Sequence, residues 1–291
     1  MTGSFYPSLA AFLRKARQVI GKGPAAVILV EDDTEVASTL RHHLKLGFCP
    51  VIAIMPEQIS LPEDLTAQIV RVTHVVTHPE TARHSLNQII EMAPGAWLFY
   101  GFNAEYLFYP FCETRSIREM LAFHAGERRD AMLTFVIDLY AEDLDEAPNA
   151  VSLQRACLDR TGYCALARED EKTGEPKERQ LDFHGGLRWR YEEHVPETAR
   201  TIDRVAIFKA KRGLELRPDH TFNDEEYNTV SCKWHNNLTA AICSFRAAKA
   251  LKRNPASSAA ITRFWCPRSV RFEWQSRQLM DLGLMEPGQW F

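Results

Sequence analysis

No window of the sequence approaches the roughly 18 consecutive apolar residues that a membrane-spanning helix requires. The opening stretch MTGSFYPSLAAFLRKARQVIGKG also holds too short an apolar run for the hydrophobic segment of a secretory signal. Neither sign of charge dominates: 35 Lys and Arg stand against 38 Asp and Glu, a net charge of −3. That balance argues against a nucleic-acid binder working by bulk electrostatics. The cysteines (49, 112, 157, 164, 232, 243 and 266) form no CxxC pair. Their odd number and irregular spacing exclude a disulfide framework or a zinc site and suit reduced thiols. Internal repeats and low-complexity tracts are lacking too. The expectation is a cytoplasmic protein, with peripheral membrane contact left open by the basic and aromatic C-terminal stretches.

What is present is an ordinary globular composition, 45% hydrophobic and 25% charged over 291 residues. AAVILV (25–30) and VIAIM (51–55) read as strands buried on both faces, and QIVRVT (68–73) as a third. Between the first two, Val36, Leu40 and Leu44 recur at helical spacing. Asp32 and Glu35 suit a capping box before them, and Gly47 a stop after them. Pro79 suits the first turn of a helix whose apolar face is Ala82, Leu86, Ile89 and Ile90. Pro94-Gly95 ends that helix, and AWLFY (96–100) follows as a strand. A helix over 116–124 and a strand over 132–139, carrying Asp138, come next.

This alternation predicts an α/β fold with a mixed, largely parallel sheet flanked by helices and a C-terminal helical portion. Residues 141–180 read as solvated loops, VAIFKA (205–210) as a strand and 238–252 as a helix, and Arg188 and Arg190 of GGLRWR (185–190) point the same way if that stretch is extended. The expected organisation is a helical segment over 1–24, an α/β half over 25–145, and a second half of the same domain over 146–291. Ligands of such sheets sit at the carboxyl ends of strands, here Glu31–Asp33 and Phe102–Glu105.

Several segments carry a resemblance in their shared order. They are RHHLKLGF (41–48), GAWLFYGFNAEYLFYP (95–110), FVIDLY (135–140), GGLRWR, VAIFKAKRG, the His of PDH at 220, WH (234–235) and SVRFEWQSRQLMDLGLM. Together they resemble the bacterial family-2-type glycosyltransferases of GT-A (Rossmann-like) fold, from about residue 20 to the end. The resemblance implies transfer of a sugar from a nucleotide-sugar donor to a polysaccharide or related carbohydrate acceptor. It also implies a DxD pair holding a divalent cation, Mn or Mg, against the donor diphosphate. This chain departs from that pattern. Phe102, Asn103, Ala104 and Glu105 stand where Asp-Ala-Asp-Glu is expected, so the DxD is degenerate and cation binding is in question.

The remaining candidates are carried with their alternatives. Asp138 and Glu105 are candidate catalytic carboxylates, or an ion-paired residue and a turn residue. Glu31, Asp32 and Asp33 contact the donor nucleoside, or cap a helix. Arg188, Arg190 and Lys209 grip the donor phosphates without metal, or are solvated. His235 is a metal ligand if a metal is bound, or a packed histidine beside Trp234. His42 and His43 cannot face the same way on one helix and read as packing or surface residues. Two functions follow: a glycosyltransferase, or a catalytically inactive GT-A descendant that binds glycans or forms complexes.

Overall fold

Short apolar runs become strands here because both of their faces are covered. The segments 25–29 and 51–55 are buried at every position, as expected of parallel strands roofed by helices. The computed structural model describes residues 3–170, 172–230 and 237–290. In chain order its elements begin with β1 (Ser4–Tyr6), α1 (Leu9–Leu13), α2 (Ala16–Ile20), β2 (Ala25–Leu29), α3 (Val36–Lys45), β3 (Val51–Met55), α4 (Glu63–Thr66), β4 (Val70–Thr73), α5 (Pro79–Met92), β5 (Trp97–Phe102), β6 (Glu105–Phe108) and α6 (Ile117–Gly126). They continue with β7 (Ala131–Asp138), β8 (Tyr140–Ala141), β9 (Ala156–Asp159), β10 (Cys164–Glu169), β11 (Pro176–His184), α7 (Gly186–Arg190), β12 (Asp203–Lys209), β13 (Ala240–Ser244), α8 (Arg246–Arg253), α9 (Pro255–Ala260), β14 (Ser269–Arg271) and α10 (Ser276–Asp281). Among the described residues no helix is long and apolar enough to cross a membrane.

The architecture is α/β, with a mixed, mostly parallel sheet flanked by helices. The chain divides into two compact units that interleave along the sequence. The first comprises 3–106, Thr114–Met132 and Val205–Asn228. Its strands run β1-β4-β3-β2-β5-β12. The first five are parallel, and β12 returns antiparallel on β5 with Ile207 opposite Phe99. The second unit comprises Leu107–Glu113, Leu133–Arg204 and 229–290. There β7 pairs in parallel with β13, β8, β9 and β14 make a small antiparallel sheet, and β10 and β11 form a hairpin.

Several sequence expectations need correction. The first 24 residues include a strand, β1, as well as helices. Asp32 does not cap α3: its carboxylate accepts from the Thr34 amide in a local turn, and Glu35 holds the cap position at φ 54°. The stretch 141–180 is not all loop: it contains β9 and β10, and β11 of the β10–β11 hairpin begins in it at Pro176. Arg168 anchors that hairpin by donating to Asp182 and to buried Asp203, both at 2.7 Å. The helix expected over 238–252 begins as a strand: Ala240–Ser244 is buried throughout and pairs with β7 before α8 starts. A short apolar run rich in alanine fits either element, and only the neighbouring strand decides it.

The paired histidines on α3 differ in burial, His42 half-buried and His43 buried, although their rings meet edge-on with centroids 5.3 Å apart. His43 is fully buried, 4.9 Å from the Phe99 ring and bonded through Nδ1 to the Thr39 carbonyl. Burial, and then the charge of His42, hold its pKa down to about 3. Burial likewise lowers His124 to about 4. Both folded values lie below the ordinary 6.5, so the unfolded chain takes up protons that the native chain refuses. Stability is therefore lost as pH falls from 6.5 toward those values, at about 1.4 kcal/mol per pH unit for each histidine. His43→Phe should make the fall in urea-unfolding free energy between pH 6 and pH 4 shallower by about that slope. Parallel curves for variant and native chain would contradict a neutral buried His43.

Candidate functional site

In the first unit the parallel strands β2 and β5 end side by side, with Leu29 opposite Phe102. The residues that follow each strand therefore meet. Asn103 is fully buried and joins the two ends. Its Oδ1 accepts from the Glu31 amide at 2.9 Å, and its Nδ2 donates to Asp32 Oδ1 at 2.7 Å and to the Thr34 carbonyl at 2.9 Å. The loop carrying Glu31, Asp32 and Asp33 is thus held by an amide side chain, with Asp33 exposed.

The turn after β5 is closed from inside. Phe102 and Ala104 are 5% and 0% exposed. Ala104 takes a left-handed φ of 59°, and its amide donates to Thr39 Oγ1 of α3 at 2.9 Å. Glu105 is also fully buried, and its Oε2 accepts from the Phe102 amide at 2.9 Å. Its charge bears on His43.

These residues do not fit the divalent cation that the resemblance implies. Two of the four positions are apolar and buried, the amide of Asn103 is committed to the neighbouring loop, and Glu105 reaches back to its own turn. A hard cation needs several oxygen ligands converging from one open side. Among the described residues no three His, Cys, Asp or Glu side chains group closely enough to hold a metal ion.

The second unit holds a different polar cluster, at the ends of β7 and β9. Asp138 closes β7 and is fully buried. Its Oδ2 accepts from the Arg188 amide at 3.3 Å, and the Arg188 Nε lies 3.4 Å from its Oδ1. Oδ1 makes no hydrogen bond among the described residues. Burial pushes the Asp138 pKa up, and the Arg188 charge opposes that shift. The Arg188 guanidinium also donates to the Thr201 carbonyl at 2.8 Å. Arg190 instead donates from Nη1 to both oxygens of Asp159, at 3.0 and 3.2 Å, and from Nη2 to the Phe264 carbonyl. Tyr140 completes this second pair, donating to Asp159 at 2.6 Å with its hydroxyl 2.6 Å from Ser269 Oγ.

The local reason for this divergence is a helical turn. Only an extended GGLRWR would aim both arginines to one side. Instead Gly186–Arg190 forms one turn of helix, where residues two apart face opposite ways. The two glycines allow the close approach that fixes this turn. A Cβ on Gly185 would come within 2.2 Å of the Tyr163 ring, and one on Gly186 within 2.9 Å of the Asp138 carboxylate. Arg188 and Arg190 therefore serve two separate buried carboxylates and do not form one phosphate clamp.

Lys209 is placed elsewhere again. It ends β12 opposite Trp97, at the start of β5, and lies 3.5 Å from Asp130. That is the sheet end opposite Glu31–Asp33, because β12 runs antiparallel. His220 packs on Tyr100, with Nδ1 3.0 Å from its hydroxyl. His235 and Trp234 lie outside the described residues. Sequence reasoning missed Asp159, Tyr140 and the bonding role of Asn103. Asp159 gave only the signal of a carboxylate ending an apolar run, ACLD (156–159).

No family model matches the chain, and no curated protein matches it. Among solved structures it is similar to the crystal structure of S. aureus TarS 1-349 in complex with UDP, at 11% identity and a TM-score of 0.26. The match spans 39% of this chain and 35% of that one. A likeness at that score carries no argument.

Proposed function

We propose that this chain is a glycosyltransferase-like protein that has kept an α/β scaffold of the GT-A kind without its cation-dependent donor grip, and that it works as a glycan-binding or complex-forming partner. The scaffold half of this reading rests on the order of the sequence segments and on the mixed, mostly parallel sheet. The observation that carries the other half is the turn over 102–105. Its two positions expected to be acidic are a buried phenylalanine and a buried alanine, while Asn103 bonds to the adjoining loop, the Ala104 amide to Thr39 of α3, and Glu105 to the Phe102 amide.

The alternative is sugar transfer from a nucleotide sugar to a polysaccharide acceptor, with Asp138 as base and Arg188, Arg190 and Lys209 on the diphosphate. It would need two guanidiniums to leave buried carboxylates, and stripping one partner from such a pair is strongly unfavourable. Release of nucleoside diphosphate from a panel of nucleotide sugars, with and without manganese, tests the choice. The expected result is no release above the rate without protein. Release that disappears in Asp138→Asn would establish turnover of a nucleotide sugar instead, by hydrolysis or by transfer.

A further inference from the structure

The first unit carries a cavity of about 500 Å³ lined by none of the candidate donor-binding or catalytic residues. It opens at the amino ends of β3 and β4, where Val51 and Val70 line it, and between α2 and the end of α3. This is the sheet end away from Glu31 and Asn103, which follow the carboxyl ends of β2 and β5. Its size lies within the range of small-molecule sites.

The lining has two characters. Val19, Leu44, Phe48 and Ile69 supply apolar wall, and Phe48 and Ile69 are themselves buried. Lys15, Gln18 and Tyr6 supply an ammonium, an amide and a phenol. Among the described residues no carboxylate lines the cavity, and the Lys15 ammonium has no ion-pair or hydrogen-bond partner. A cation beside an apolar pocket, with neutral donors near it and no internal counter-charge, matches one kind of ligand: an apolar body with a single anionic head. One ammonium with neutral donors suits the two oxygens of a carboxylate. A diphosphate normally calls for a guanidinium fork or several cations.

We infer that this cavity is a binding site for small monocarboxylates with an apolar tail, the head on Lys15 and the tail against Leu44 and Val19. The inference does not depend on the function proposed above.

Cys49 is exposed and lines the same cavity, which provides a reporter. Its alkylation by N-ethylmaleimide, read site by site by mass spectrometry, should slow at least fivefold when octanoate saturates the site. Alkylation of Cys164, exposed on β10, should be unchanged. Lys15→Met keeps the aliphatic stem and removes the charge; as an exposed residue it should leave the melting temperature unaltered. In that variant, half-protection of Cys49 should need at least tenfold more octanoate. Octan-1-ol should also need at least tenfold more than octanoate in the native chain, and inorganic phosphate alone should not protect. No protection by octanoate, equal protection in Lys15→Met, or equal slowing at Cys164 would overturn the proposal. Tighter protection by octyl phosphate than by octanoate would overturn the assignment to carboxylates.

Discussion

Arg188→Ala should destabilise the chain by about 3–5 kcal/mol at neutral pH, because it leaves the fully buried Asp138 carboxylate without its cation. The loss exceeds that of an exposed ion pair, which is normally worth about 1 kcal/mol or less. Burial already raises the Asp138 pKa, and Arg188 is the main influence opposing it. Without Arg188 the carboxyl should move further upward. A carboxyl whose folded pKa exceeds its unfolded one binds more protons in the native state. Stability attached to it is therefore regained as pH falls through that window. The deficit of Arg188→Ala should accordingly shrink between pH 7 and pH 5 in urea titrations. Adding Asp138→Asn to the variant should recover much of the loss at pH 7, since no charge is then left unpaired. A deficit independent of pH and not relieved by Asp138→Asn would show that Arg188 acts through packing alone.

Restoring the expected acidic pair, with Phe102→Asp and Ala104→Asp together, should break the fold locally and create no cation site. Removing a buried phenylalanine side chain costs about 3–5 kcal/mol before any charge is buried. Two further carboxylates would then enter a turn that already encloses Glu105, where desolvation disfavours each one. The expected reading is a melting temperature lower by on the order of 10 °C, or loss of soluble protein, and no rise with added manganese. Phe102→Leu keeps an apolar side chain and should cost less than half as much. Stability near the native value together with a manganese-dependent rise in the double variant would mean that these positions face an open cleft.

The turn at 102–105 also shows where sequence reading succeeded and where it stopped. The strands around it were legible because parallel strands buried on both faces are written as unbroken apolar runs, as in AAVIL and VIAIM. The absence of two carboxylates was legible as well. How the polar groups left in the turn are bonded was not. The bonds from Asn103 to Glu31, Asp32 and Thr34 span about 70 positions and arise only because β2 and β5 end together.

The same limit applies to the arginines. A period of two suggested one shared face, but Gly185 and Gly186 admit Tyr163 and Asp138 so closely that the chain turns helical there. Asp159 could not be found as the partner of Arg190 because its role depends on β9 meeting Tyr140 and Ser269. Lys209 looked like a donor-site cation until the antiparallel register of β12 carried it to the other end of the sheet. Polar side chains were thus readable by type, and their partners only through strand pairing.

Closure of the 102–105 turn against a cation carries the proposed loss of donor binding. Electron paramagnetic resonance of manganese, titrated with the native chain in the presence of a nucleoside diphosphate, measures it directly. The signal should stay at the level of the manganese–nucleotide mixture without protein. A saturable loss of that signal at one manganese per chain, abolished by Glu105→Gln, would contradict it.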